Sequence, residues 1–274
     1  MINFSILVAH YNNFEYFKDF YKSVLKQTYQ NFEIIIVDDH STDNSLEKIK
    51  AHTAADPRVR IFENETNKGV GFTKRKCVEM ANGEICGFID PDDAVIENAL
   101  ELSIRSYQDN PNIAGTYSQI MLCDNLLRPQ KIYNRTKNVI NGNPLFFNIN
   151  NEISHFFTFQ KKSYLKTSGI NPNLSASEDF DLYLKIYETG ELAYIPKPLY
   201  LYRLHEDGIS QGESKKKTVH KNWNKMLMDT CKRRNITKIG KITLSENSDL
   251  SKIIFEKENT FAAKVKRKIS TFLQ

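Results

Sequence analysis

The chain has 274 residues, 26% of them charged and 40% hydrophobic, which is enough to bury a good core as one large domain with an appendage or as two small ones. Its four cysteines, Cys77, Cys86, Cys123 and Cys231, show no Cys-x-x-Cys spacing, which argues against a zinc knuckle and a disulfide framework and points to a reducing cytoplasm. The net charge of +5 is uneven: residues from Gln211 onward carry 16 Lys and Arg against 6 Asp and Glu, leaving 22 against 27 before them. The opening apolar run is too short for a secretory signal, and no stretch approaches the ~20 apolar residues that a membrane-crossing helix requires.

In chain order, Phe4 to Ala9 is apolar enough for a strand buried on both faces of a parallel sheet, and it ends at His10-Tyr11-Asn12-Asn13. Phe17, Phe20, Tyr21, Val24 and Leu25 recur at helical spacing, so a helix is expected from about Phe14 to Thr28. Phe32 to Val37 is a second buried strand and runs into Asp38-Asp39. The strand, helix, strand order implies a parallel crossover. A capped helix with Leu46 and Ile49 inward follows, then a short strand, Val59 to Phe62. After the loop Asn67-Lys68-Gly69 a helix from about Phe72 to Met80 carries Lys74 and Arg75 near its start. Gly69 is the first glycine of the chain. A dinucleotide fold or a P-loop needs glycines directly after the first strand, so both are excluded.

The apolar run Ile85 to Ile89 stops at Asp90-Pro91-Asp92-Asp93. Pro91 ends the ladder, so the carboxylates belong at the carboxyl end of a buried strand, where open α/β sheets bind ligands. A solvated capping turn is the bland alternative, but three mutually repelling carboxylates in four residues favour a shared cation. Beyond them the pattern predicts a helix around Ala99 to Tyr107, a strand from Ile113 to Leu122, and a polar, irregular segment from Leu127 to Asn151. A short strand at Phe156 to Phe159 and a helical turn at Lys162 to Lys166 follow. A helix then opens at Ser177-Glu178-Asp179, and two strands, Leu192 to Ile195 and Leu199 to Leu204, are split by Pro196 and Pro198. The tail has two helical stripes: Val219, Trp223, Met226, Leu227 and Cys231, then Phe261, Val265, Ile269 and Phe272 among Lys264, Lys266, Arg267 and Lys268. The second suits either an anionic membrane interface or docking on the body. No nucleic acid is expected as a partner.

From Ile2 to about Ser210 these residues resemble the inverting family 2 glycosyltransferases of GT-A fold. The resemblance rests on the order of Ser5-Ile6-Leu7-Val8-Ala9-His10-Tyr11-Asn12, Asp38-Asp39, Asn67-Lys68-Gly69, Asp90-Pro91-Asp92-Asp93, Ser177-Glu178-Asp179-Phe180-Asp181-Leu182 and Tyr202-Arg203-Leu204-His205. It implies an α/β, Rossmann-like, mostly parallel sheet, with a nucleotide-binding half at 1–110 and an acceptor-binding half at 111–210. Residues 211–274 form a basic helical extension outside it. It further implies that Asp90 and Asp92, with Asp93 beside them and His205 as a third ligand, hold Mn²⁺ or Mg²⁺ against the diphosphate of a UDP-sugar. Tyr11 packs on uracil, Asp39 accepts the ring N–H, Lys68 and Arg75 offset phosphate charge, and Asp179, ionised at a helix N-terminus, deprotonates an acceptor hydroxyl. The acceptor is a glycan or a lipid-linked sugar, at the inner membrane face. The Gln-x-x-Arg-Trp signature of processive synthases is missing, which favours single additions. A sugar nucleotidyltransferase and a catalytically degenerate scaffold are the alternatives; the first lacks its basic glycine loop here, and intact Asp90, Asp92 and Asp179 count against the second.

Overall fold

The computed structural model describes residues 2–205 and 216–261. Strands β1 (Phe4–His10), β2 (Phe32–Asp38), β3 (Val59–Glu63) and β4 (Ile85–Phe88) alternate with helices α1 (Phe14–Leu25), α2 (Ser45–Thr53) and α3 (Val70–Met80). They form a parallel half-sheet in the order β3-β2-β1-β4. Its topology reverses beside β1, so the carboxyl ends of β1, β2 and β4 converge on one crevice. The second half comprises β5 (Ala94–Val95), α4 (Ala99–Asp109), β6 (Gly115–Cys123), β7 (Pro129–Ile132), β8 (Thr158–Gln160), α5 (Lys161–Tyr164), α6 (Glu178–Tyr187) and β9 (Leu192–Arg203). β8 joins the halves by antiparallel pairing with both β4 and β6, and the long β6–β9 ladder is parallel.

The period-two alternation of β1 and β2 decides the layers. Ile6, Val8, Ile34 and Ile36 share a core with Phe17, Phe20 and Ile104 from α1 and α4, whereas Leu7, Ile35 and Val37 share one with Cys77, Val78, Leu182 and Ile186 from α3 and α6. Both faces are covered, and that is why the strands read as continuous apolar runs.

Two sequence expectations change. The prolines do not split β9: Pro196 is exposed and falls at a register shift between Ser118 and Gln119, while Pro198 stays paired in register with Gln119. Within the segment read as irregular, β7 pairs with β6 although all four of its residues are exposed, so no alternation marks it.

Helix α7 (Lys216–Arg233) buries Met226, Leu227 and Cys231 against Phe147 and Leu184, together with Leu250 and Ile254 of α8 (Leu250–Glu258). The first tail stripe is therefore docked on the body, next to α6. Phe261 is 84% exposed; the rest of the second stripe and its basic residues lie outside the described residues. Among the described residues no helix is long and apolar enough to cross a membrane.

Candidate active site

The turns after β1 and β2 are stapled together. The Asn12 amide donates to Thr42 Oγ1 and its carbonyl accepts from the Thr42 N–H, while the Asn12 N–H donates to Ser41 Oγ. Beneath them Asp38 is buried and bonded to His10 Nδ1 at 2.8 Å and to the Ser41 N–H and hydroxyl. Burial alone would raise the Asp38 carboxyl, but the His10 and Ser41 bonds outweigh it and hold it below the usual carboxylate range. Tyr11 rides on this staple, 45% exposed.

Asp39 takes another place than a free acceptor would. Only 4% exposed, its carboxylate receives the Asn64 amide and the backbone N–H groups of Lys68 and Gly69, each at 2.8 Å. It orders the loop before α3. Three of about four acceptor positions are thereby used, leaving one for a base N–H. Lys68 has an exposed side chain, and Gly69 sits at φ +86, in the left-handed region that glycine adopts without strain.

The acidic stretch meets the start of α6 through a lysine that the sequence reading passes over. Lys74, 2% exposed, places its ammonium 3.2 Å from Asp90 Oδ1, 2.9 Å from Glu178 Oε1 and 2.8 Å from Asp179 Oδ1. Its three N–H donors match three carboxylates. Despite burial, these neighbours push the Lys74 ammonium well above its ordinary value, so it stays charged. Burial raises the Glu178 and Asp179 carboxyls, whereas at Asp90 the attraction of Lys74 overcomes burial and lowers it. The helix N-terminus was expected to favour ionised Asp179; burial is the stronger effect.

Arg75 is not brought to this cluster. Its guanidinium bonds Glu79 and the carbonyls of Ser168 and Ile170 on the other side of α3. The phase of α3 explains the exchange: Gly71, Lys74, Cys77 and Val78 lie on its buried face, and Arg75 and Glu79 do not. That phase was the available signal.

Asp93 differs from its two neighbours. It is 2% exposed and accepts the Arg203 N–H at 2.8 Å, with Tyr200 as a second partner, so it ties the acidic stretch to β9 rather than facing a ligand. Burial, and then Asp92 and Asp90, push its carboxyl well up. Arg203, also unassigned by the sequence, donates to the Asp92 carbonyl and to Asp19.

Asp92 Oδ2 and His205 Nε2 converge at 2.9 Å, with the His205 ring 4.7 Å from that of Tyr16. A carboxylate oxygen and an imidazole nitrogen form a donor set that suits Mn²⁺, and the nearby Asp90 adds a second carboxylate. The chemistry of these groups fits the cation expected of them, and as the side chains stand Asp92 and His205 are hydrogen-bonded to each other. Asp90, His155 and Asp179 also bring ligand atoms within 4.8 Å of one another. The Lys74 ammonium already bonds two of those three, which disfavours a second cation there.

Close backbone approach holds the segment that leads into α6 over α3. A Cβ on Gly71 would lie 2.5 Å from the Leu174 carbonyl oxygen and 2.7 Å from that of Asn171. The buried Asp181–Lys185 pair holds the same segment through the Asn171 N–H and the Gly169 carbonyl. Gly71→Ala is expected to cost about 1–3 kcal/mol, the usual penalty of overpacking, and to slow turnover by displacing Glu178 and Asp179. An unchanged thermal midpoint would show that the contact yields freely.

The family model described as glycosyl transferase family 2 matches residues 5–167. Chondroitin synthase of Escherichia coli is 30% identical over 260 residues, covering 92% of this chain and 36% of that protein. The chain thus spans about a third of that relative, and the likeness extends past residue 210 into the tail. The Escherichia coli UDP-Glc:alpha-D-GlcNAc-diphosphoundecaprenol beta-1,3-glucosyltransferase WfgD is 34% identical over 138 residues, 48% of this chain and 53% of that protein. Among solved structures, S. aureus TarS 1–349 in complex with UDP-GlcNAc superposes with a TM-score of 0.67 at 19% identity, covering 83% of this chain and 67% of that one. Parallel strands ending on an acidic crevice, and a family match that runs from β1 to the turn after α5, lead to one assignment: the chain belongs to glycosyl transferase family 2 and has the GT-A fold.

Proposed function

We propose that the chain is a metal-dependent, inverting, non-processive glycosyltransferase that moves a sugar from a UDP-sugar to a hydroxyl of a glycan or lipid-linked acceptor in bacterial surface polysaccharide synthesis. The observation that carries the reading is an acidic crevice in which Asp92 pairs with His205 and Lys74 ties the neighbouring Asp90 to Asp179 at the start of α6. Binding of UDP-GlcNAc by TarS, and the UDP-Glc donor and diphosphoundecaprenol acceptor in the name of WfgD, agree with the donor and acceptor classes.

Asp92 and His205, with Asp90 beside them, would hold the divalent ion, which when bound offsets diphosphate charge. Tyr11 supplies a ring for the base at the β1 end. Lys74 pins Asp179 Oδ1, so Oδ2 is the oxygen that takes the acceptor proton. The acceptor oxygen bonds to the anomeric carbon from the face opposite the diphosphate. The carbon–oxygen bond to UDP breaks with its electron pair, and the configuration inverts. One base suffices for such a displacement.

The test is calorimetric titration of UDP. With Mn²⁺ present it should bind, and both EDTA and Asp92→Ala should weaken binding by on the order of 100-fold. Equal UDP affinity in all three conditions would remove the metal from the reading.

A further inference from the structure

We propose that His155 is an acceptor-binding residue: its Nε2–H and the Asp179 carboxylate close on the reacting hydroxyl from two sides. The inference rests on Asp179 as the base, and it assigns a role to a ring that stands on a different segment from every residue in the reading above.

Nε2 of His155 lies 3.7 Å from Asp179 Oδ2, the oxygen that Lys74 does not use. That is too long for a direct hydrogen bond, yet a hydroxyl oxygen about 2.8 Å from each atom bridges it. The ring has little freedom to turn. It stacks on Tyr200 at 4.9 Å and 20° and meets Tyr183 edge-on at 6.1 Å and 80°. Tyr200 is itself fixed by the Asp90 N–H at 3.1 Å, so the imidazole is referenced to the same strand end as the donor site. The Tyr183 hydroxyl lies 3.3 Å from Nδ1. When that O–H donates, the neutral ring carries its own hydrogen on Nε2 and points it at the gap.

A hydroxyl placed there donates its hydrogen to Asp179 Oδ2, accepts from Nε2–H with one lone pair, and keeps the other for the anomeric carbon. The proton ends on Asp179, and His155 retains its hydrogen throughout. Pinning the nucleophile between two fixed groups is orientation, which is sensitive to displacements of about 1 Å.

Two substitutions separate this role from packing. His155→Phe keeps a ring on Tyr200 without an N–H, and His155→Gln keeps an N–H without the ring. UDP affinity is measured by titration with Mn²⁺, and turnover as UDP release from a panel of UDP-hexoses with p-nitrophenyl glycosides as acceptors. Both variants should bind UDP within about twofold of wild type. His155→Phe should lose about 100-fold in kcat/KM for the acceptor, and His155→Gln should recover part of it even if its melting temperature is the lower. Transfer by His155→Phe equal to wild type, or a loss of UDP affinity in both variants, would overturn the assignment. Failure of the wild-type protein to bind UDP would instead overturn the donor reading, and this inference with it.

Discussion

Asp179→Asn should reduce sugar transfer by about 1,000-fold while leaving UDP affinity within a factor of two of wild type. The amide has the shape of the carboxylate, and its oxygen still accepts from Lys74, whose contact with Asp179 is 2.8 Å. Its other end is an NH₂ that cannot take a proton. The donor side should barely notice, because Asp92 and His205 bond each other and Asp90 keeps its own contact with Lys74. Folding should not suffer either: burial raises the Asp179 carboxyl, and a neutral side chain removes one of three negative groups that share a single ammonium. Glu178→Gln is the informative companion. It relieves the same crowding and, if Asp179 is the base, retains far more activity. Single-turnover transfer and UDP titration on the two variants decide the matter. More than a tenth of wild-type turnover in Asp179→Asn would place the base elsewhere.

The strand and helix order was legible because β1, β2 and β4 are buried on both faces and the helices between them repeat their apolar residues at three and four. The order of motifs pointed to Asp90, Asp92, Asp179 and His205, and in the structure Lys74 ties Asp90 to Asp179 while Asp92 pairs with His205. What stayed hidden are the residues whose neighbours are distant in sequence. Lys74 looks like one surface cation among Lys74, Arg75 and Lys76, and only its partners, 16 and about 105 positions away, make it central. Asp93 looks like a ligand because it adjoins Asp92, yet it holds β9 at Arg203, and Asp39 spends three of its acceptor positions on Asn64 and the Lys68–Gly69 loop. A carboxylate that accepts backbone N–H bonds and one that waits for a ligand have the same letter; burial and partner geometry separate them. His155 escaped for a similar reason, since its significance lies in a 3.7 Å gap to a residue 24 positions on.

Removing the ammonium should be the most damaging change to folding in this site. Lys74→Met keeps much of the stem that lies near the Phe88 ring, 5.5 Å from the Lys74 ammonium to its centroid, but leaves Asp90, Glu178 and Asp179 facing one another with no cation. Truncating one partner of a buried charge cluster costs about 3–5 kcal/mol, and in a chain of this size that lowers the melting temperature by roughly 10 °C. Glu178→Gln added to Lys74→Met should recover part of the loss, because one of the stranded charges is then gone. Metal supplies a second, sharper criterion. With the ammonium absent, the ligand atoms of Asp90, His155 and Asp179, all within 4.8 Å of one another, are free to share a divalent ion. Mn²⁺ should therefore raise the melting temperature of Lys74→Met by more than it raises that of wild type, and His155→Phe in the Lys74→Met background should abolish the excess. Melting curves of wild type, Lys74→Met and its two double variants in EDTA and in Mn²⁺ suffice. If Lys74→Met melts with wild type in EDTA, the three carboxylates are held apart by something other than Lys74, and the electrostatic account of the cluster fails.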